Sequence, residues 1–513
     1  MKKLTDLEYL KLNKFRKILH NLLSFFAAIP FRIWEGIKAI GRFFKKIGLG
    51  FVDALKNIGT TFVRGDWKTK ISFFIFGFGR VLRGQILRGL AFFFLEVAYI
   101  LFMITTGVPN LSMLGTLGTV ETTKVMETVV IGGASTQVEK TIWGDNSFRI
   151  LLYGVMAIFF TIALIYTWYL NIKQNKISEE ILAKGKPLKS NKQDLHSLID
   201  DQFHKSLLAL PIVGITLFTV LPTFFMILIA FTNYTKEHMP PDKLFSWVGF
   251  QNFGQIFNWN AGSTAFSASF GEILLWTLIW AFFATFTNYF LGMLVALAIN
   301  KKGIKGKKIF RGILVLTIAI PQFISLLFIS KMFAKYGIVN ETLLSWGWIS
   351  SPLPFFEDQT WARVTVIIIN IWVGIPYLML MISGVLMNIP SDLYESAKID
   401  GANSVQQYFK ITLPYTLFVT GPYLLTSFTG NMNNFNVIYL LTGGGPTSSD
   451  IARATIKAGE TDLLITWLFK LTVDENNYAM ASVIGILVFL VVAVVSLVVY
   501  NIIPSVKNEE DFQ

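Results

Sequence analysis

Four asparagines lie within one stretch of six residues, at positions 431, 433, 434 and 436, inside a largely apolar run of the sequence. An amide side chain both donates and accepts hydrogen bonds, which suits the hydroxyl groups of a sugar. Polar groups are costly inside a membrane span, so they often mark a substrate path. The alternative is that these amides join neighbouring helices. We favour substrate contact for Asn431 and Asn434, and helix contacts for Asn433 and Asn436.

A second polar position lies in the preceding apolar run, where Gly374 and Tyr377 flank Pro376. The face of a tyrosine ring can stack on a sugar ring. A third apolar run contains one carboxylate, Glu96. An acid within a span can relay protons, but a lone carboxylate away from the other polar residues favours a structural hydrogen bond.

The chain has few residues that could carry out other kinds of chemistry. There are no cysteines, which excludes disulfides and thiol catalysis, and the four histidines lie far apart. A phosphate-binding loop requires Gly-Lys followed by Ser or Thr. Here Gly185-Lys186 is followed by Pro187, and Gly306-Lys307 by Lys308. We therefore expect no enzyme activity, and no ATP, magnesium or other cofactor in this chain.

The segment Glu395–Pro414 reads ESAKIDGANSVQQYFKITLP. It predicts a short helix up to Ile399, then a turn at Asp400-Gly401, where glycine can take a positive φ. A second short amphipathic helix follows. Pro414 then begins the next span, at a position where a missing N–H costs little. A compact pair of helices in a loop is a rigid lever for a soluble partner.

The elements that carry these residues are predicted to be membrane helices. The chain of 513 residues is 53% hydrophobic and 15% charged, with a mean hydropathy of +0.54, and apolar runs of about 20 residues can span a bilayer. We predict eight spans, at Leu90–Thr106, Ile150–Leu170, Leu207–Phe231, Ile273–Ile299, Ile313–Met332, Val364–Leu386, Tyr415–Leu441 and Met480–Ile503.

The net charge of +13 is concentrated before residue 90 and in the loops Lys173–Lys205 and Lys301–Arg311. This distribution predicts cytoplasmic N- and C-termini and contact with anionic lipids, and it disfavours nucleic-acid binding. The stretch Val120–Glu139 predicts a small external β-hairpin. Apolar residues at helical spacing between Phe31 and Ile58 predict a helix in the cytoplasmic membrane interface, or one packed on the protein's own loops.

We divide the chain accordingly into five parts: a basic amphipathic cytoplasmic region (1–85), the first two spans with an external loop (86–172), a cytoplasmic linker (173–206), a core of six spans with the loop 388–414 (207–504), and a cytoplasmic tail (505–513).

The segment Glu395–Pro414 resembles the coupling loop of ABC importer permeases, with Ser396 in place of an alanine. Asn433–Thr447 is similar to the corresponding stretch of sugar permeases, and Ala458–Thr472 to a loop of the larger maltose/maltodextrin permease subunit. Two departures stand out. The family's aromatic residue before the first asparagine is Gly430 here, and the large insertion of some members is replaced by the short Thr232–Gly271.

This resemblance implies an all-α polytopic membrane protein of the ABC importer permease type, moving maltodextrin-type oligosaccharides into a bacterial cell through the plasma membrane. It implies a second homologous permease, two ATPase subunits that bind ATP and Mg, and an extracellular sugar-binding protein. It places the sugar at Gly374, Tyr377, Asn431 and Asn434. It places contact with the ATPase at Glu395, Ala397, Asp400, Gly401, Ala402, Phe409 and Pro414.

Three other functions stay open on the residues alone. An ABC permease for galacto-oligosaccharides or other glycosides would share all of these features. An ion-coupled secondary transporter would require titratable groups in the pore and two detectable repeats. Glu96 is the one candidate for such a group, and no repeat is evident in the sequence. A membrane scaffold would not need asparagines clustered within a span.

Overall fold

The computed structural model describes residues 52–131, 134–257, 265–301 and 303–502, together with individual residues between 34 and 50. The predicted tail 505–513 and ten residues of the predicted interface helix lie outside the described residues. The described chain is mostly helical, which confirms the prediction of an all-α membrane fold.

Helices occupy each of the eight predicted spans, although not every span is one continuous helix. We label them and the helices between them α1 to α16: Ile86–Phe102 (α1), Ser147–Ala183 (α2), Phe203–Ile215 (α3), Leu221–Ile229 (α4), Ala265–Phe282 (α5), Asn288–Asn300 (α6), Lys307–Ala319 (α7), Gln322–Met332 (α8), Gln359–Met387 (α9), Ser391–Ile399 (α10), Ser404–Gln407 (α11), Leu413–Met432 (α12), Phe435–Thr442 (α13), Ile451–Thr455 (α14), Leu464–Val473 (α15) and Tyr478–Ile502 (α16).

Several of these helices join through wider turns of π-helix. Such turns occupy Met103–Gly107, Thr216–Val220, Phe283–Thr287 and Tyr408–Thr412. Shorter elements are the helices Trp67–Ile71, Phe78–Val81, Val108–Ser112, Asn191–Ser197, Gln251–Phe257 and Ile338–Ser345 and the 3-10 turn Lys236–His238.

By length and composition, six continuous helices of the described chain can cross a membrane, and the bent pair α7–α8 makes a seventh. The predicted seventh span is the exception. The structure divides it into α12 and α13 at Asn433-Asn434, because the Asn434 side chain accepts a hydrogen bond from the backbone N–H of Val437 and caps α13. The last turns of α12 contain the polar residues Thr426, Thr429 and Asn431.

Prolines have different effects in two other spans. Helix α7 ends at Ala319 and α8 begins at Gln322, with a bend of 92° between them at Pro321. Proline has no N–H to continue the helical ladder, so the fifth span is broken rather than straight. Pro376 lies within α9, which continues as one helix of 29 residues.

The described chain separates into two units. The first comprises residues up to Ser112 and Tyr153–Thr216. In it, Asn171 of α2 donates to the carbonyl of Ser72 and accepts from the N–H of Gly77, while Glu96 accepts from the N–H of Phe76 at 2.8 Å. These bonds fasten the turn at 72–77 to α1 and α2. Glu96 therefore has the structural hydrogen bond that its isolation suggested.

The second unit comprises Met113–Leu152 and the chain from Leu217 onward. It contains the predicted hairpin, whose strands β1 (Thr123–Ile131) and β2 (Ala134–Ile142) pair antiparallel. Its helices bury three apolar clusters, one of them centred on Trp467 of α15, another on Trp280 of α5, and the third on Tyr289 of α6. This packing positions the residues described next.

Candidate substrate path and coupling loop

A cavity of ≈ 590 Å³ lies where the broken fifth span meets the proline of α9. Its walls include Pro321 and Gln322 at the bend, and Trp372, Pro376 and Tyr377 on α9. Trp372 and Tyr377 are 55% and 53% exposed, so two aromatic faces are open to an occupant. Of the four predicted sugar-contact residues, Tyr377 lines this cavity.

Tyr377 also faces the polar helix α12. Its ring centroid lies 6.2 Å from that of Tyr423, at an interplanar angle of 36°. Gly430 lies seven residues further along α12, close to two helical turns, and therefore on nearly the same face as Tyr423. A Cβ built on Gly430 would meet no atom within 4 Å, so the helix has open space where the family carries an aromatic ring.

Gly374 has a packing role. A Cβ at this position would lie 2.6 Å from Nδ2 of Asn288 on α6. Asn288 is buried, and its Nδ2 donates to the carbonyl of Ala284. Among the described residues, Asn288 Oδ1 and Asn370 Nδ2 are both buried without a hydrogen-bond partner. The missing side chain of Gly374 thus allows α9 to approach a buried amide.

Asn431 and Asn434 are hydrogen bonded to the protein. Asn431 Nδ2 donates to Thr285 Oγ1 at 3.0 Å, and its backbone carbonyl accepts from Nε1 of Trp280. Asn434 Nδ2 donates to Asn431 Oδ1 at 3.3 Å. These bonds fit the helix-joining alternative. The two amide oxygens can still accept further hydrogen bonds, because each oxygen has two acceptor sites.

Gly374, Asn431 and Asn434 lie outside the lining of the cavity beside Tyr377, and one set of contacts and helix neighbours relates them to it. Asn434 bonds Asn431, and Asn431 bonds Thr285, which lies three residues before Asn288 on the same helical face. Asn288 touches Gly374, which precedes Tyr377 by three residues. Asn433 and Asn436 are exposed and lie outside this set.

Sequence reasoning missed several members of this region. Trp372 and Gln322 line the cavity, and Tyr423 faces Tyr377. Thr285 contacts Asn431, and Asn288 contacts Gly374. Pro321-Gln322, a proline followed by an amide within an apolar run, was the available signal. The π turn that brings Thr285 to Asn431 had no recognisable sequence signal.

The loop between α9 and α12 has the predicted form of two short helices. Helix α10 ends at Ile399, and Gly401 has φ +78°. The N–H of Ala402 donates a hydrogen bond of 2.8 Å to the carbonyl of Ala397. Asn403 then caps α11 with a reciprocal pair of bonds to Gln406. The backbone therefore makes the predicted turn at Gly401, and Pro414 lies in the first turn of α12.

Side-chain bonds hold this loop to the helices behind it. The hydroxyls of Tyr394 and Thr412 lie 2.8 Å apart, and the Tyr408 hydroxyl donates to Sδ of Met293 at 3.3 Å. A cavity of ≈ 500 Å³ lies behind α10 and is lined by Glu395, among others. These bonds make the loop a rigid extension of α12 and α6.

The other side of the loop is open and partly apolar. Ile399 is 86% exposed, and Val405 and Phe409 are also exposed. Glu395, Asp400 and Gly401 are exposed as well, whereas Ala397 and Ala402 are half-buried against the turn. Such an apolar patch with charged residues at its edge is typical of a surface that binds another protein.

A buried ionic network fixes the segment after α13. Arg453 of α14 pairs with Glu272 of α5 at 2.7 Å and with Glu460 at 3.2 Å. Arg363 at the start of α9 donates to the carbonyl of Glu460. Within the described part of the chain, no group of three His, Asp or Glu residues could hold a metal ion. The charged residues of this region pair with one another.

Comparisons with known proteins agree with this geometry. Residues 288–508 match the family model "Binding-protein-dependent transport system inner membrane component". The chain is 36% identical over 71% of its length to the galactooligosaccharides transport system permease protein GanP of Bacillus subtilis, covering 85% of that protein.

Two further relatives match over 85% of this chain and 95% of their own lengths. They are the maltodextrin transport system permease proteins MalC of Streptococcus pneumoniae, at 32% identity, and MdxF of Bacillus subtilis, at 33%.

Proposed function

Because this chain belongs to the family of inner membrane components of binding-protein-dependent transport systems, we propose that it imports maltodextrin-type oligosaccharides. In this proposal it is one of two homologous permease subunits in a bacterial plasma membrane. Two ATPase subunits supply the energy, and an extracellular sugar-binding protein delivers the substrate. The chain itself transports and performs no catalysis.

The observation that carries the ATP-driven part is the rigid, exposed loop Glu395–Pro414. It presents Ile399, Val405 and Phe409 on its open side, while Tyr394 and Tyr408 fasten it to the helices behind. An ATPase that changes shape on the cytoplasmic side would pull this loop and rock α6 and α12 with it. The ATPases bias the transporter only because they bind its two states differently.

The sugar part of the proposal is supported by the cavity beside Tyr377 and Trp372. Two exposed aromatic faces lie next to amides and hydroxyls, and ligand sites commonly combine apolar walls with a few polar groups. Alternating access would then expose this cavity first to the outside and later to the cytoplasm. The predicted contacts Gly374, Asn431 and Asn434 would contribute through their connected set.

A second substrate class has a specific observation in its favour. The relative named for galactooligosaccharides is 36% identical to this chain, against 32–33% for those named for maltodextrins. We therefore keep galacto-oligosaccharides as the alternative substrate of the same site.

Uptake by reconstituted vesicles tests the proposal. The chain is co-expressed with its neighbouring permease, ATPase and binding-protein genes, and labelled maltotriose is offered with ATP and without an ion gradient. We expect ATP-dependent accumulation that unlabelled maltodextrin competes away. Competition by galactobiose alone would select the alternative substrate, and uptake driven by an ion gradient without ATP would refute the importer assignment.

A further inference from the structure

The helix at 52–64 has two different sides. Ile58 and Thr61 face α2, and Thr61 is buried. An apolar stripe of four exposed residues runs along another face of the helix: Val52, Leu55, Phe62, which also packs edge-on against Phe73, and Val63. A helix with one face packed and another apolar face open requires a second apolar environment.

The position of helix 52–64 along α2 indicates which apolar environment its stripe meets. The helix packs against Tyr169–Glu180, directly after the apolar run that ends near Leu170. Lys173 and Lys176 follow that run. In a membrane helix, such a change from apolar residues to lysines marks the level of the lipid headgroups. The open stripe therefore lies at the boundary between acyl chains and headgroups.

A cavity of ≈ 280 Å³ lies between the two helices at this level. Lys173, Lys176 and Glu180 belong to its lining, which carries a net positive charge. Its remaining lining residues are Asn57, Ile58, Thr61, Tyr169, Ile172 and Ile177. Amide, hydroxyl and ammonium groups around a small space suit a phosphate group.

We propose that this cavity binds the headgroup of an anionic phospholipid, with the acyl chains lying along the stripe of helix 52–64. Phosphatidylglycerol is the probe of that class. Basic residues surround the site, with Lys56 and Arg64 on the same helix and Lys68 and Lys70 just beyond it. Each lysine or arginine near an anionic bilayer surface adds favourable electrostatic energy.

The depth of the stripe argues against a soluble protein as the occupant. A partner from the cytoplasm would meet residues beyond the headgroups, whereas Phe62 packs on Phe73, which packs on Trp168 inside the apolar run of α2. The inference rests on the membrane placement of α2 and is independent of the sugar and of the ATPases.

The experiment measures lipid retained by the intact complex. The complex is reconstituted in equal amounts of phosphatidylglycerol and phosphatidylcholine, extracted in a neutral detergent and purified, and the retained lipids are quantified by mass spectrometry. The test variant is K173Q/K176Q. The matched control is K184Q/K186Q, which removes the same charge just after the end of α2, outside the cavity lining.

We expect the unaltered complex and the control to retain phosphatidylglycerol over phosphatidylcholine, and K173Q/K176Q to lose this preference, with about a tenfold lower affinity. A second variant, V63Q, disturbs only the open stripe and should weaken retention while its lysines remain.

Equal retention in the test and control variants would overturn the site. Displacement of the lipid by glycerol phosphate, which has no acyl chains, would overturn the lipid assignment. Co-purification of a stoichiometric protein lost in V63Q would assign the stripe to that partner instead. ATP-dependent uptake, assayed in parallel, reports on the proposed function separately, because retained lipid is measured without transport.

Discussion

Asp462 is completely buried just before α15, and its Oδ2 lies 2.7 Å from Nζ of Lys470. The same carboxylate accepts from the N–H of Gly459 and from the hydroxyl of Thr466. A Cβ on Gly444 would lie within the Asp462 carboxylate. The glycine at 444 is thus explained by close approach of the backbone to a buried acid, and the acid is tolerable because Lys470 neutralises it.

Replacing Lys470 by Met should destabilise the protein strongly. Removing one partner of a buried ion pair leaves an uncompensated charge and costs about 3–5 kcal/mol. Burial already raises the pKa of Asp462, while Lys470 lowers it, so loss of the ammonium raises this pKa further. With a folded pKa above the unfolded one, stability is greatest at low pH and falls as pH rises through the folded pKa.

Thermal unfolding of the GFP-tagged variant, followed by size-exclusion chromatography, measures this effect. K470M should be more stable at pH 5 than at pH 8. The double variant D462N/K470M removes both charges and should recover much of the loss, and a double variant as unstable as K470M would contradict the ionic explanation.

Charge reversal at Glu395 should release the ATPase. A contact between this exposed carboxylate and a cationic partner would contribute on the order of 1.5–3 kcal/mol where it is shielded from water, so E395K should weaken co-purification of the ATPase by at least about tenfold. Asp392 lies on the same helix and is exposed. D392K therefore controls for the charge change.

A second variant tests the turn itself. Gly401 has φ +78°, and a side chain forced into this region costs roughly 1–2 kcal/mol. G401D should remain in the membrane but fail to couple ATP hydrolysis to uptake. If E395K and G401D both retain the ATPase and transport normally, the loop is not the coupling element.

Asn434→Ala should reduce sugar uptake by about tenfold or more while the complex still assembles. The change removes a possible substrate donor and the cap of α13, and loss of a cap costs about 1 kcal/mol. N434D keeps the capping oxygen and replaces the Nδ2 donor by a charged oxygen, so it tests the donor with the cap still in place. The neighbouring exposed Asn433 gives the matched control, N433A. Unchanged uptake in both N434 variants would remove Asn434 from the site.

Gly430→Phe should improve maltodextrin uptake. The space beside Gly430 is open, and the position lies on nearly the same face of α12 as Tyr423. An additional ring contact adds about 0.5–1.5 kcal/mol, which lowers the KM for maltotriose by about two- to tenfold. G430A carries the gain in helix propensity without the ring. An equal KM in G430F and G430A would show that the ring does not reach the sugar.

Orientation is tested by tags. The distribution of basic residues predicts that a tag at Ser190 is accessible only from the cytoplasm, and a tag near Ser351 only from outside. Protease protection in right-side-out vesicles distinguishes the two positions. A tag near Ser351 that reports the cytoplasm would contradict the eight-span arrangement.

The sequence predicted the fold well because lipid leaves few alternatives. Each apolar run of about 20 residues had to be a helix, and all eight appear as helices or broken helices. The turn at Gly401 was predictable from local chemistry, since Asp-Gly in a polar loop favours a positive φ. The hairpin, too, followed from local alternation, although its strands β1 and β2 begin and end three residues later than predicted.

The site was less predictable because it depends on contacts between distant segments. Asn431 and Thr285 are 146 residues apart in sequence, and no local pattern pairs them. Gly374 was predicted as a sugar contact, and the structure adds its packing against Asn288. The ionic network of Arg453 was missed because two of its members, Glu272 and Arg363, lie far from Arg453 in sequence.

The bend at Pro321 has a chemical consequence of its own. A helix leaves the carbonyls of its last turn and the N–H groups of its first turn without partners inside the helix. Here α7 ends and α8 begins at the wall of one cavity. The carbonyl groups that end α7 and the N–H groups that begin α8 therefore lie in the same wall, and neither kind of group carries a net charge. Mutation of side chains cannot remove these groups. Under the proposed function, such a wall would suit uncharged polyols in general, and the choice among them would fall to side chains such as Tyr377.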